Sequence, residues 1–220
     1  AHFREWKGLA LSSVGLGTYL GGEDDATDRA YEGAVTRALA LGLNVVDSAV
    51  NYRGQRSERA IGSALGTAAP AGRVARPEIL LATKGGFIPG DGAAGRGHPA
   101  QAYVRAGLAT RDEIVAGCHC LAPRYLADQL ERSRANLGVE TIDVYYLHNP
   151  ESELGELDRD AFMVRMRDAF NALEQAAGEG RIGVYGTATW NGYRQDPTDA
   201  DYLSLAELTT LARQIAGDAH

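Results

Sequence analysis

Ile142-Asp143-Val144-Tyr145-Tyr146-Leu147-His148-Asn149-Pro150 is the stretch that decides the fold. A β-branched and aromatic run of this kind fits a strand buried on both faces, and Pro150 cannot extend its hydrogen-bonded ladder. His148 is therefore expected at the strand's C-terminal end. Two earlier apolar runs end in the same way. Leu43-Asn44-Val45-Val46-Asp47 stops at a carboxylate with Tyr52 just beyond it, and Glu78-Ile79-Leu80-Leu81-Ala82-Thr83 delivers Lys84. Four groups able to move or steer a proton thus sit at the C-terminal ends of three successive strands. In a parallel α/β protein those ends share one face, and ligands bind there.

Around these runs the pattern alternates. Val14 to Tyr19 reads as a first short strand entering a glycine-rich turn, and Arg181 to Gly186 as a fifth. Between and after the strands, apolar residues at three- and four-residue steps predict helices over 28–41, over a segment capped by Ser57 and ended by Gly66, and over 125–137, 160–179 and 205–215. Residues 1–13 are expected to form a small hairpin or cover. Right-handed crossovers would make the five strands neighbours in a parallel sheet. That order is common to open doubly wound sheets and to the (β/α)8 barrel, although no Gly-x-Gly-x-x-Gly follows the first strand. Residues 85–123 break into Gly, Pro and polar residues, with a short helix expected around Arg111 to Gly117. Its glycines, up to Gly97, are followed by no Gly-Lys-Ser/Thr, so a loop or lid is expected rather than a phosphate cradle.

Composition narrows the function. A formal charge of −7 argues against a nucleic-acid surface, which needs clustered cations. No apolar run approaches the roughly 18 residues that suggest a membrane span, and the opening residues lack a signal-peptide layout, so a cytoplasmic protein is expected. The two cysteines flank a histidine in Cys118-His119-Cys120. A zinc site needs four ligands, and no second pair exists, so no metal is expected there.

Asp47, Tyr52, Lys84 and His148 make a useful set. A tyrosine holds its proton near pKa 10, and a neighbouring ammonium, itself held by a carboxylate, is expected to lower that value. A histidine can orient a carbonyl oxygen while the phenol protonates it and a hydride reaches the carbon. The hydride must come from a cofactor, since no side chain supplies one.

The segments Val14 to Tyr19, Asn44 to Tyr52, Ser57 to Leu65, Ala82-Thr83-Lys84, Leu130 to Pro150, and Gly180-Arg181-Ile182 leading to Gly186-Thr187 occur in an order that resembles the aldo-keto reductase family. The resemblance implies a (β/α)8 barrel, of which this chain would hold about the first five βα units in a single domain over 1–220, with 85–123 as a long loop insertion. It implies NADPH as the hydride donor and a small-molecule carbonyl compound as the substrate. Tyr52 takes the general-acid position, Lys84 and Asp47 the ion pair behind it, and His148 the carbonyl-orienting position. Gly17, Thr18 and Asp47 fall beside the cofactor; Tyr19, Asn149 and Trp190 fall beside the substrate. Where many relatives have a Ser-Asn pair on the nicotinamide amide, this chain has Ala188 and Thr189, and Thr189 keeps a hydroxyl for one hydrogen bond. Since such barrels run to about 250 residues, the 220 residues are expected to be part of a longer polypeptide. The stretch Gly186-Thr187-Ala188-Thr189-Trp190 is similar to the potassium-channel β-subunits of the same family, so a non-catalytic nucleotide-binding regulatory subunit is the alternative reading.

Overall fold

The computed structural model describes residues 2–68, 74–90 and 99–217. Its opening is an antiparallel hairpin of β1 (Phe3–Trp6) and β2 (Leu9–Ser12). Five strands follow: β3 (Leu16–Gly17), β4 (Val45–Asp47), β5 (Leu80–Gly85), β6 (Ile142–His148) and β7 (Ile182–Ala188). They form one parallel sheet in chain order. The helices are α1 (Asp25–Ala40), α2 (Arg56–Ala68), α3 (Pro99–Arg105), α4 (Pro123–Leu137), α5 (Arg159–Gly178) and α6 (Leu205–Ala216).

The helix starts follow from side-chain caps. Asp24 accepts from the Thr27 amide at 2.8 Å, so α1 begins three residues before the expected Asp28. Asp158 and Ser204 do the same for α5 and α6. Pro123 sits in the first turn of α4, where a missing amide costs nothing, and Gly138 closes that helix at φ 67°. Ser57 is not a cap. It lies inside α2, and its hydroxyl donates to the Thr18 carbonyl at 2.7 Å, while α2 runs on past Gly66 to Ala68.

The two sheet faces separate core from site. Leu81, Thr83, Tyr145 and Leu147 are buried, and the apolar three of them join Ile61, Leu126, Leu130, Phe162, Met166 and Phe170 in the main core under the helices. Alternation puts Leu80, Ala82 and Lys84 on the other face of β5, beside Val144, Tyr146 and His148 of β6. Trp6, Leu9 and Leu11 of the hairpin pack against Leu80, Ala82 and Val144. That closes the N-terminal half of this face with apolar contacts and leaves its C-terminal half to Lys84 and His148.

Helices α2 and α4 approach closely at Gly62. A Cβ there would lie 2.3 Å from the Asn136 carbonyl oxygen and within 3.2 Å of Leu137 backbone atoms. Backbone cannot rotate away as a side chain can. Alanine's better helix propensity returns about 1 kcal/mol, against a clash of about 1–3 kcal/mol or more. Gly62→Ala is therefore expected to destabilise, read as a lower urea midpoint at unchanged m-value; an unchanged or higher midpoint would show that the helices separate freely.

The segment between β5 and α4 differs from expectation. Residues 111–117 are bends and turns with an isolated bridge from Val115 to His119, and Ala116 at φ 49° and Gly117 at φ 66° are both incompatible with a continuing right-handed helix. The helix in this segment is α3, opened by Pro99. Most of the glycine-rich stretch, Gly92 to Gly97, lies outside the described residues.

Candidate active site

Register brings the strand ends together. Asp47 pairs with Ala82 across β4 and β5, and Lys84 pairs with Tyr146 across β5 and β6, so Lys84 and His148 each stand one same-face step beyond their neighbour. Lys84 Nζ donates to Asp47 Oδ1 at 2.6 Å and to the Ser48 carbonyl at 2.6 Å. Past β4 the chain stays tied to β5 through Ser48 N to Ala82 O and Val50 N to Lys84 O, at 2.9 and 3.1 Å. It then turns over Tyr52, whose amide donates to the Ala49 carbonyl at 3.0 Å.

Tyr52 is held from three sides. The Lys84 ammonium lies 5.0 Å from its ring centroid, the His148 ring stands edge-on at 5.6 Å, and Tyr19 at 5.0 Å. Just beyond it, Arg53, Gly54 and Gln55 take φ values of 51°, 58° and 70° in succession. Such a left-handed run is costly for the two non-glycine residues and persists only if its surroundings fix it. Buried Arg53 supplies much of that fixing. Its guanidinium donates to the Gly22 carbonyl at 2.7 Å and to Asp28 Oδ1 at 2.7 Å, anchoring the Tyr52 turn to the loop before α1.

The electrostatics depart from expectation in one respect. Burial, with the nearby Asp47 charge and Tyr19, pushes the Tyr52 phenol up to about 12 instead of lowering it. The Lys84 ammonium, 5.0 Å from the ring centroid, is offset by the Asp47 carboxylate it binds, and burial of the phenol is the larger effect. Burial pulls Lys84 below the usual lysine range, opposed chiefly by Asp47. His148 is pulled down to about 3 by burial, then by the charges of Lys84 and His119, and is therefore a neutral imidazole at neutral pH. Its buried Nδ1 has no hydrogen-bond partner among the described residues, nor does Asn51 Oδ1. Unpaired buried polar atoms at a strand-end rim are what a polar ligand would satisfy.

The remaining predicted residues are placed less centrally. Gly17 pairs with Asp47 in the sheet, and Thr18 is fully buried with its hydroxyl turned to Ser48 Oγ and the Asp47 carbonyl. Asn149 takes φ 47°, and its amide donates to the Ala188 carbonyl at 2.7 Å. Thr189 is half-buried just after β7. Trp190 is 72% exposed, its amide bound to the buried Glu151 carboxylate at 2.9 Å. Among the described residues, no ring contact joins Trp190 to Tyr52 or His148.

Sequence reasoning missed Arg53, Glu58 and Phe87. Phe87 stands edge-on to His148 with centroids 5.1 Å apart. Glu58 is fully buried, accepting from Thr83 at 2.6 Å and Asn136 at 2.9 Å, and burial raises its carboxyl pKa. The available signal was a carboxylate next to the apolar face of a helix that starts directly after Tyr52.

A family model described as "Aldo/keto reductase family" matches residues 13–195. Among solved structures, the aldo-keto reductase AKR11C1 from Bacillus halodurans in its holo form is 24% identical, with a TM-score of 0.57, over 85% of this chain and 50% of that one. The glycerol dehydrogenase AKR11B4 from Gluconobacter oxydans is 20% identical, with a TM-score of 0.57, over 98% of this chain and 52% of that one. Comparison with curated proteins gives no match. At these identities the structural likeness shows the fold: a partial barrel of five βα units, spanning about half the length of the structures it resembles. No helix among the described residues is long and apolar enough to cross a membrane.

Proposed function

This chain belongs to the aldo-keto reductase family, and from that membership we propose that it reduces a small aldehyde or ketone in the cytoplasm, with NADPH as hydride donor and Tyr52 as general acid. One observation carries the reading: Tyr52, the Lys84–Asp47 pair and a neutral His148 converge at the C-terminal rim of three adjacent strands. NADPH, when bound, supplies the hydride that no side chain can. The donor set suits the other half of the reaction. His148 offers a ring N–H to the carbonyl oxygen and sets its direction. The Tyr52 phenol gives that oxygen a proton as negative charge develops on it, and the Lys84 ammonium, held by Asp47 and Ser48, stabilises the phenolate left behind.

In this reading Gly17, Thr18, Asp47 and Thr189 line the nicotinamide side. Thr18 acts there through its backbone, since its hydroxyl is engaged within the protein. Tyr19, Asn149 and Trp190 line the substrate side, and the exposed rings of Tyr19 and Trp190 suit a substrate with an apolar part.

Titration of the full-length protein with NADPH, followed by nucleotide fluorescence, and turnover on a panel of aldehydes and ketones test the proposal. Saturable binding with NADPH oxidation on at least one carbonyl is expected. Binding without turnover on any carbonyl would favour a regulatory nucleotide-binding subunit, and no binding would overturn the cofactor assignment.

A further inference from the structure

His119, read from sequence as the centre of a metal-like fragment, lies fully buried against Phe87, which also meets the His148 ring; the centroids of His119 and His148 are 4.9 and 5.1 Å from that of the phenylalanine. Local pairing carries it there. Residues 86–88 run antiparallel to 118–120 through Cys120 N to Gly86 O at 2.9 Å and Ile88 N to Cys118 O at 2.7 Å. Both ring nitrogens of His119 are then engaged. Nδ1 is 2.8 Å from Glu153 Oε1, and Nε2 is 2.8 Å from the backbone carbonyl oxygen of His148.

The His148 carbonyl oxygen can only accept, so His119 Nε2 donates to it. Nδ1 lies against Glu153, which is itself fully buried and whose second oxygen binds Arg165 of α5. Arg165 in turn donates to the Asp112 carbonyl at 2.7 Å and the Glu113 carbonyl at 3.2 Å. The relay therefore ties α5, the 3-10 turn over Pro150–Gly155 and the loop before α4 to one atom at the end of β6. Gly86 leaves room for it. A Cβ there would lie 2.9 Å from His119 Nε2 and 3.2 Å from the His148 oxygen, at φ 137°.

We propose that His119 is a positioning residue for His148: the Arg165–Glu153–His119 relay clamps the His148 carbonyl and, through Phe87, sets the plane of the ring that meets the substrate. This deepens the reductase reading and rests on it for the role of His148.

The test combines kinetics with imidazole nitrogen NMR on the full-length protein. In the wild type, His119 is expected to show an Nε2–H signal protected from solvent exchange by the His148 carbonyl. In His119→Leu, the His148 ring signals should move, and carbonyl kcat/KM should fall about tenfold with NADPH affinity within about twofold, because misplacing an orienting group weakens the reacting geometry. His119→Gln, which can still donate to the carbonyl, should recover part of that loss. Gly86→Ala, which keeps His119 but wedges a methyl into the bond, should strip that Nε2–H signal of its protection.

Absence of a protected Nε2–H signal on wild-type His119 would overturn the proposal without any variant having to fold. So would unchanged His148 signals with unchanged kinetics in His119→Leu. If the wild type reduces no carbonyl while the protected His119 Nε2–H signal is present and His148 responds to His119→Leu, the clamp stands and the reductase reading falls.

Discussion

Tyr52→Phe is expected to lower kcat for carbonyl reduction by about 10²–10⁴-fold, the range a positioned general acid contributes. The phenyl ring can keep its contacts with Tyr19, His148 and Lys84, so NADPH affinity and the unfolding midpoint should barely change. The wild-type pH profile follows from the same group. A phenol pushed up to about 12 stays protonated through the neutral range, so the reductive rate should stay level there and fall only as pH rises towards 12. The reverse oxidation needs the phenolate and should instead rise with pH. Steady-state kinetics in both directions check this, and wild-type-like reduction by Tyr52→Phe would remove Tyr52 from the chemistry.

Lys84→Met should be nearly as damaging, with kcat lower by about 10²-fold, because the developing phenolate loses its nearby cation and keeps the Asp47 charge that disfavours it. The effect on folding should be smaller. Methionine fills a similar space, and the Asp47 side chain is 41% exposed, so water can replace the ammonium. For a chain of this size, each kcal/mol lost shifts Tm by about 2–4 °C, and a shift of that order is expected. A large fall in Tm together with activity would make Lys84 a structural residue first.

How much of this could be read from sequence depended on range. The strand ending at His148 was legible because a β-branched run meets a proline, and β6 occupies Ile142–His148 as the pattern implies. Lys84 and Asp47 were legible for a similar reason, since an apolar run that stops at a charge marks where a strand leaves the core. The burial of His119 was not. It depends on residues 86–88 pairing with 118–120 across a long excursion, and nothing local in Cys118-His119-Cys120 announces a partner such as Glu153. Ser57 misled because a hydroxyl near a helix start usually caps, whereas here the Thr18 carbonyl competes for it. The expected lowering of the Tyr52 pKa failed because sequence shows that a cation is near but not how deeply the phenol is buried, and burial is the largest effect.

The pairing of residues 86–88 with 118–120 has a consequence for how such a protein diversifies. It pins both ends of the excursion next to His148, and the chain between them leaves and returns at fixed points. Closing a flexible loop grows harder only logarithmically with length, by about 0.6 kcal/mol for each doubling. Within the excursion Tyr103, Ala109 and Val115 are buried and the Asp112 and Glu113 carbonyls hold Arg165, so added length is cheap only between these anchors, and Asp47, Lys84 and His148 stay on strands that such insertions do not touch.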